Sequence, residues 1–145
     1  MREKQIETFY KYSLREIERI LGAGITNSKQ LTELGKCLLD NKYKGTYAVD
    51  RLPKLKHNDC CVINLDRSHQ PGSHWVAVYK HENKYCIYDS FGRKSSKILK
   101  SLKQLKIIDS DYDAEQMVQE DNCGQRSLTW LWCVYKVGIE NALKI

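Results

Sequence analysis

The sequence lacks a long apolar run, an apolar leader and any internal repeat. No apolar stretch reaches the roughly 18 residues that a membrane-spanning helix needs, so we expect no membrane partner. The charged start, Met1 to Gln5, has no apolar signal core after it, which predicts an intracellular protein. The length of 145 residues suits one domain over 1–145, with residues 1–24 as an N-terminal helix that is either part of it or an appendage.

Six cysteines are present, but no Cys-x-x-Cys pair. In an intracellular chain of this size we expect reduced thiols rather than disulfides. Cys60 and Cys61 are adjacent, so in a strand their side chains point to opposite faces. Combined with His57 and His69, they match no familiar zinc spacing. We therefore predict no metal site and no cofactor.

Positive charge is in excess, with a net charge of +6. Much of it lies in residues 93–106, where four apolar side chains recur at helical spacing between lysines. This pattern predicts a helix over 95–105 with a solvated lysine face. Because basic surfaces also attract nucleic acid, a nucleic-acid-binding module stays open as a non-enzymatic alternative.

Apolar periodicity predicts two N-terminal helices. The first covers residues 3–21 and ends at the glycines that follow. The second starts after a cap at Thr26 or Asn27 and runs to about residue 40, with Cys37 as a core thiol.

The rest of the chain predicts a sheet followed by one buried helix. Residues 41–59 carry turn-forming residues and are expected to form an irregular loop. Short apolar or alternating runs predict strands at 60–65, 74–80, 84–89 and 106–109. The last helix, 124–137, is apolar nearly all round, which is typical of a central buried helix. The predicted fold is α+β, with a small mixed or antiparallel sheet packed on that helix.

Cys123 stands where this last helix begins. Asp121 and Asn122 can cap the helix, and a thiolate at its start is stabilised by the positive helix end and by free amide N–H groups. Gly124 allows close approach of a substrate to the backbone. A buried structural cysteine explains the same local sequence, so a nucleophile needs a base nearby.

The predicted hairpin supplies that base. If residues 81–84 form its turn, Lys80 faces Tyr85, and His74 is diagonal to Asp89 on the same face of the sheet. Diagonal neighbours lie about 7–8 Å apart, within reach of these side chains. An acid can then fix the imidazole while its second nitrogen faces a thiol.

These motifs together resemble a known family. The ordered pattern consists of His74-Trp75, Tyr88-Asp89-Ser90-Phe91-Gly92, and a Gln ahead of Cys123-Gly124. It is similar to the adenovirus protease and Ulp1/SUMO-protease clan of cysteine proteases. Residues 43–53 and the run Cys-Gly-Gln-Arg-Ser-Leu are closest to maturation proteases of large DNA viruses, virophages and polinton-like elements.

The resemblance implies a role for each residue. His74 would be general base and then acid, Asp89 would orient it, and Cys123 would form a thioester. The Cys123 N–H and a Gln amide would make the oxyanion hole. Gln116 fits the family spacing, with Gln119 as the alternative. Trp75 and Gly124 would lie against the substrate.

The same resemblance implies a biological setting. We expect an endopeptidase that cleaves at or near Gly in viral capsid or core precursors, located in the virion and the host-cell cytoplasm. DNA is an activator of the adenovirus enzyme and becomes a candidate partner here. A deubiquitinase or SUMO-type isopeptidase is the enzymatic alternative, because ubiquitin-type C-termini also end in Gly-Gly.

Overall fold

The structure, a computed structural model, describes residues 1–65, 74–92, 106–109 and 120–145, with the side chains at 106 and 107 left out. The described residues form an α+β fold, as predicted. Its helices are α1 (Glu3–Leu21), α2 (Ser28–Leu39), α3 (Cys123–Val137) and the short α4 (Ile139–Ala142). Its strands are β1 (Tyr43–Ala48), β2 (Cys60–Asn64), β3 (Trp75–His81), β4 (Lys84–Tyr88) and β5 (Lys106–Asp109). Predicted helix 95–105 lies outside the described residues, and so does His69.

The strands form one mixed sheet in the order β1-β2-β3-β4-β5. The outer pairs, β1 with β2 and β4 with β5, are parallel, and the inner pairs are antiparallel. In the β3–β4 hairpin Lys80 pairs with Tyr85, which confirms the predicted register. The turn is shorter than predicted, because His81 also pairs with Lys84 and leaves two residues between them.

Strand β1 occupies part of the segment that the sequence predicted to be a loop, and that prediction was wrong. The strand contains Gly45 and no Val, Ile, Leu or Phe, so it shows no alternation of large aliphatic side chains. Its pairing with β2 begins at Tyr43 and Cys60 and is interrupted by a register irregularity before Thr46. Pairing with a buried neighbour therefore decided the conformation here, rather than local propensity.

The two faces of the sheet pack against different partners. On one face, α1, α2 and α3 enclose the larger core, to which Cys60 contributes. On the other face, Val49 and Leu55 cover a smaller core that contains Cys61. The two adjacent cysteines thus belong to opposite faces, as predicted.

Helix α1 belongs to the larger core. Ile6, Tyr10, Leu14 and Ile17 are buried on one side of the helix, at the spacing of an amphipathic helix. Helix α2 begins after Asn27, whose side chain accepts a hydrogen bond from Gln30 N at 2.9 Å.

Cys37 was predicted to be a core thiol, and this was wrong. It is exposed. The buried side of α2 includes Gly35 and Leu39, and Cys37 is two residues from each. Residues two apart on a helix lie on nearly opposite sides, which turns Cys37 to the solvent.

Candidate active site

Three chain segments meet at the N-terminal end of α3. His74 immediately precedes β3, Asp89 immediately follows β4, and Cys123 is the first residue of α3. All three are buried, and Cys123 is 8% exposed. The structure thus brings together the three residues that the sequence singled out.

The His74–Asp89 pair is held by a short hydrogen bond. His74 Nε2 lies 2.8 Å from Asp89 Oδ1, and the two side chains are 7% and 2% exposed. Asp89 Oδ1 also accepts a hydrogen bond from the backbone N–H of Phe91 at 2.8 Å. This contact between a carboxylate and the N–H two residues on is typical of an Asx-turn. It holds the carboxylate in the position from which it contacts the imidazole.

The second nitrogen of the His74 imidazole is available for a hydrogen bond with Cys123. The side chains of His74 and Cys123 share a hydrogen bond. Because Nε2 is already bonded to Asp89, this contact uses Nδ1. The ring of Phe91 stacks on the imidazole with centroids 4.6 Å apart, which limits ring rotation. The sequence offered Phe91 only as part of a motif and gave it no role.

The electrostatics favour a thiolate–imidazolium pair. Burial lowers the pKa of His74, but the hydrogen bonds to Asp89 and Cys123 outweigh it, and the pKa is raised overall. Burial likewise raises the pKa of Cys123, but the hydrogen bond with His74 and the backbone N–H groups of Trp75 and Gly124 outweigh it. The pKa of Cys123 is therefore below its ordinary value, as a reactive cysteine requires.

Asn122 occupies the N-cap position of α3, but its side chain makes no cap hydrogen bond. Its Oδ1 accepts from Arg126 Nε at 3.1 Å instead. The sequence predicted a capping side chain at this position, and for Asn122 that was wrong. The amide groups of the first turn are thus not covered by Asn122, and they point toward the end of the helix where Cys123 lies.

Arg126 connects the start of α3 to its surroundings, and only 9% of it is exposed. Besides Asn122, it bonds Glu120 through Nη2 at 3.4 Å and the hydroxyl of Tyr10 through Nη1 at 3.3 Å. The Tyr10 hydroxyl in turn lies 2.6 Å from the hydroxyl of Tyr88, within hydrogen-bond distance. Helix α1 therefore contributes a residue to the network that fixes the chain just before the thiol.

Gly124 has a packing reason as well as the predicted substrate role. A Cβ at this position would overlap Thr26 Oγ1 and approach a methyl of Leu31 to 3.0 Å. The absence of a side chain therefore lets α3 pack closely on the connection between α1 and α2. Contact of Gly124 with a substrate stays a prediction.

The connection between α1 and α2 is tied to the site by three further hydrogen bonds. Gln125 is fully buried, and its Nε2 donates to Gly22 O at 2.7 Å and to Gly24 O at 2.8 Å. The indole of Trp75, which is partly buried, donates to Thr26 O at 3.2 Å. Trp75 is thus placed beside Cys123, while its contact with a substrate stays a prediction.

The sequence missed these supporting polar residues. The signal was available, because Gln125-Arg126-Ser127 is a polar run inside a helix predicted to be buried nearly all round. Buried polar groups require partners, so such a run indicates contacts to other elements.

Other predicted residues lie elsewhere. Gln116 and Gln119 are outside the described residues. His57 and His81 lie near the hairpin turn, where His57 Nδ1 accepts from Glu82 N at 2.8 Å. The side chains described here contain no group of three or more His, Cys, Asp or Glu that could hold a metal ion. Within the same ranges, no helix has the length and apolarity needed to cross a membrane.

No protein-family model matches the sequence. No curated protein matches it either.

Proposed function

We propose that this chain is a cysteine endopeptidase in which Cys123 is the nucleophile, His74 the acid and base, and Asp89 the residue that orients His74. The observation that carries the proposal is the buried Asp89–His74–Cys123 chain of hydrogen bonds, with the 2.8 Å Asp89–His74 contact at its core. This is the arrangement that nucleophilic catalysis needs: a nucleophile, a base within reach and a third group that holds the base.

The reaction proceeds in two halves. The Cys123 thiolate attacks the scissile carbonyl carbon, and the carbonyl oxygen becomes an oxyanion. When the C–N bond breaks, the His74 imidazolium gives its proton to the leaving amine, and a thioester remains on Cys123. His74, now neutral, takes a proton from water, which attacks the thioester and releases the acid product and the thiolate.

The oxyanion would be stabilised at the start of α3. Backbone N–H groups in the first turn suit this task, since the Asn122 side chain makes no cap hydrogen bond there. The second donor we propose is the amide of Gln116, with Gln119 as the alternative. Gln116 is preferred because it lies seven positions before Cys123, as the family spacing requires, whereas Gln119 lies four before.

The substrate class follows from the resemblance to the adenovirus protease and Ulp1-like clan. We propose cleavage at or near Gly in viral capsid or core precursors, in the virion and the host-cell cytoplasm. The order of the motifs around His74, Asp89 and Cys123 is the support for this assignment.

The reaction class is tested with a peptide electrophile ending in Gly. We expect covalent labelling of wild type and its loss in Cys123→Ala and in His74→Ala. Cys37→Ala is the matched control and should label like wild type, since Cys37 is exposed on α2. Labelling that persists in Cys123→Ala, or no labelling and no cleavage of any Gly-containing substrate by wild type, would refute the proposal.

The substrate is tested by incubation with Gly-containing capsid precursors and with ubiquitin-like substrates, followed by mass spectrometry of new termini. Cleavage of precursors alone supports the maturation protease. Cleavage of ubiquitin-like substrates alone supports the isopeptidase alternative.

DNA is proposed as an activating partner because the net charge is +6 and because residues 44–56 contain exposed Lys and Arg side chains. If DNA activates the enzyme, activity with DNA present falls steeply as salt rises, because salt competes for phosphate contacts. Activity that is the same with and without DNA would exclude this partner. DNA binding without any thiol reactivity would instead favour the non-enzymatic module.

A further inference from the structure

Trp75 lies at the point where the β3–β4 ladder ends. The last β3–β4 pair is Ala77 with Tyr88, so no β4 residue pairs with Trp75. On the other side, Leu65 N donates to His74 O at 3.0 Å. In an antiparallel ladder the neighbouring residue then points its N–H and C=O to the opposite edge. Both backbone groups of Trp75 therefore face away from β2.

Helix α3 meets both of these groups. The Trp75 N–H donates to Cys123 Sγ at 3.5 Å, and the Trp75 carbonyl accepts from Ser127 Oγ at 3.2 Å. Cys123 and Ser127 are four residues apart, so they lie one above the other on the same side of the helix. One turn of α3 thus binds the N–H and the C=O of a single residue, in the place where a neighbouring strand would otherwise bind them.

We propose that Ser127 is a positioning residue for the reaction of Cys123. Its hydroxyl holds the Trp75 carbonyl, and this aims the Trp75 N–H at the sulfur and stabilises the thiolate. The inference rests on the proposed role of Cys123 as a nucleophile. It adds a residue with no contact to substrate, one helical turn beyond the site.

Burial supports this role. Ser127 is fully buried, so its hydroxyl is excluded from bulk water and the Trp75 carbonyl is the partner seen for it. Removing the hydroxyl leaves the carbonyl without this donor and lets the Trp75 backbone shift away from α3. The N–H contact to Cys123 then weakens, and the thiolate forms less readily at acidic pH.

The test measures alkylation of Cys123 by iodoacetamide against pH, with quantification of tryptic peptides. The peptide 107–126 contains Cys123 as its one cysteine, and the peptide 37–42 reports the exposed Cys37 in the same sample. In Ser127→Ala we expect alkylation of Cys123 to be about three- to tenfold slower near pH 6, because the rate follows the thiolate fraction. Near pH 10, where the thiolate is fully formed, wild type and variant should react alike.

Two further variants separate positioning from packing. Ser127→Thr keeps the hydroxyl and should restore the wild-type profile. Thr129→Val removes another fully buried hydroxyl from α3, one that bonds Gln125 O at 2.7 Å within the helix, and it should leave the profile unchanged. If Ser127→Ala does not fold, Ser127→Cys fills the site with a slightly larger group that is a weaker donor, and it should slow alkylation in the same way. Trypsin cleaves between Arg126 and residue 127, so the new thiol falls on a different peptide.

The outcomes distinguish this inference from the proposed function. A wild-type profile in Ser127→Ala, or an equal slowing in Thr129→Val, overturns the positioning role and leaves the protease proposal standing. An ordinary thiol profile for Cys123 in wild type overturns the proposed thiolate–imidazolium pair itself.

Discussion

At the scale of single residues, the site depends on how the side chains of Asp89, His74 and Cys123 share two protons. The Phe91 N–H holds the Asp89 carboxylate in place, and the Phe91 ring stacks on the His74 imidazole. The imidazole therefore has little freedom, and Nδ1 stays directed at Cys123. Such restriction is what an orienting acid contributes, since a freely rotating base would spend little time in the reactive geometry.

The pKa shifts predict the pH dependence of peptide hydrolysis. Activity needs a Cys123 thiolate, so it rises as pH increases through the lowered pKa of that thiol. Activity also needs a protonated His74 for the leaving amine, so it falls as pH increases through the raised pKa of the imidazole. We expect a bell-shaped plot of kcat/KM, with the acidic limb below the ordinary thiol pKa and the alkaline limb above the ordinary imidazole pKa. A single limb at the ordinary pKa of a thiol would contradict the ion pair.

Replacement of the orienting acid gives a second prediction. Asp89→Asn keeps the size of the side chain but removes the charge that favours the imidazolium, so we expect kcat/KM to fall roughly a hundredfold or more. The alkaline limb should also move to lower pH, because the pKa of His74 loses a raising contribution. Steady-state kinetics against pH measure both effects.

Asp40→Asn is the matched control for this charge change. Asp40 is exposed at the end of α2 and has a φ of 52°, a conformation that Asn tolerates. Asp40→Asn should leave kcat/KM and the position of the alkaline limb unchanged. An Asp89→Asn enzyme with the wild-type alkaline limb would show that the acid does not act on His74.

At the scale of elements, the close packing of α3 on the α1–α2 connection positions the nucleophile. Gln125 binds the carbonyls of Gly22 and Gly24, the indole of Trp75 binds Thr26 O, and Gly124 packs on Thr26. These contacts join the start of α3 to the N-terminal helices. Helix α1 itself contacts the same turn of α3 through the hydrogen bond from Arg126 Nη1 to the Tyr10 hydroxyl.

Gly124→Ala tests this packing. The added methyl overlaps Thr26 Oγ1, so we expect a loss of about 1–3 kcal/mol in the free energy of unfolding, as in other overpacked cores. Urea denaturation measures it. The double variant Thr26→Ala with Gly124→Ala removes the overlapping oxygen and should recover part of the loss.

Gly24→Ala is the matched control for the same chemical change. Nothing lies within 4 Å of a Cβ at that position, so stability should stay close to that of wild type. If Gly124→Ala were as stable as Gly24→Ala, the close approach of α3 to Thr26 would be wrong.

At the scale of the whole molecule, four cysteines belong to the two cores, whereas Cys123 lies at the candidate site and Cys37 at the surface. Cys60, Cys61, Cys86 and Cys133 are buried in the sheet and in α3. Burial raises the pKa of Cys60 and of Cys133 to about 12 and that of Cys86 to about 11. These thiols are both covered and hard to ionise, which makes them inert in the folded protein.

Alkylation of the native protein should therefore modify Cys123 and the exposed Cys37 and spare the other four cysteines. The protected four should become reactive together as denaturant unfolds the protein, since both cores share the same sheet. Peptide mass spectrometry after brief labelling at increasing urea measures this. Early reaction of Cys61 alone would mean that the smaller core opens independently.

The sequence by itself determined the elements whose signals are local. Apolar periodicity predicted α1, α2 and α3 because each buries one side of a helix or nearly all of it. The hairpin register placed His74 diagonal to Asp89, because pairing in a hairpin depends only on residue numbers once the turn is placed. The resemblance to known proteases then supplied the proposed roles.

Tertiary structure alone decided what depends on distant segments. It made a strand of β1, turned Cys37 to the solvent, and brought α3 against Trp75 so that Cys123 meets His74. It also engaged Ser127 with a carbonyl 52 residues away in the chain. The physical reason is that these contacts join residues far apart in sequence. Their geometry follows from how the helices pack on the sheet, and no local pattern of residues encodes it.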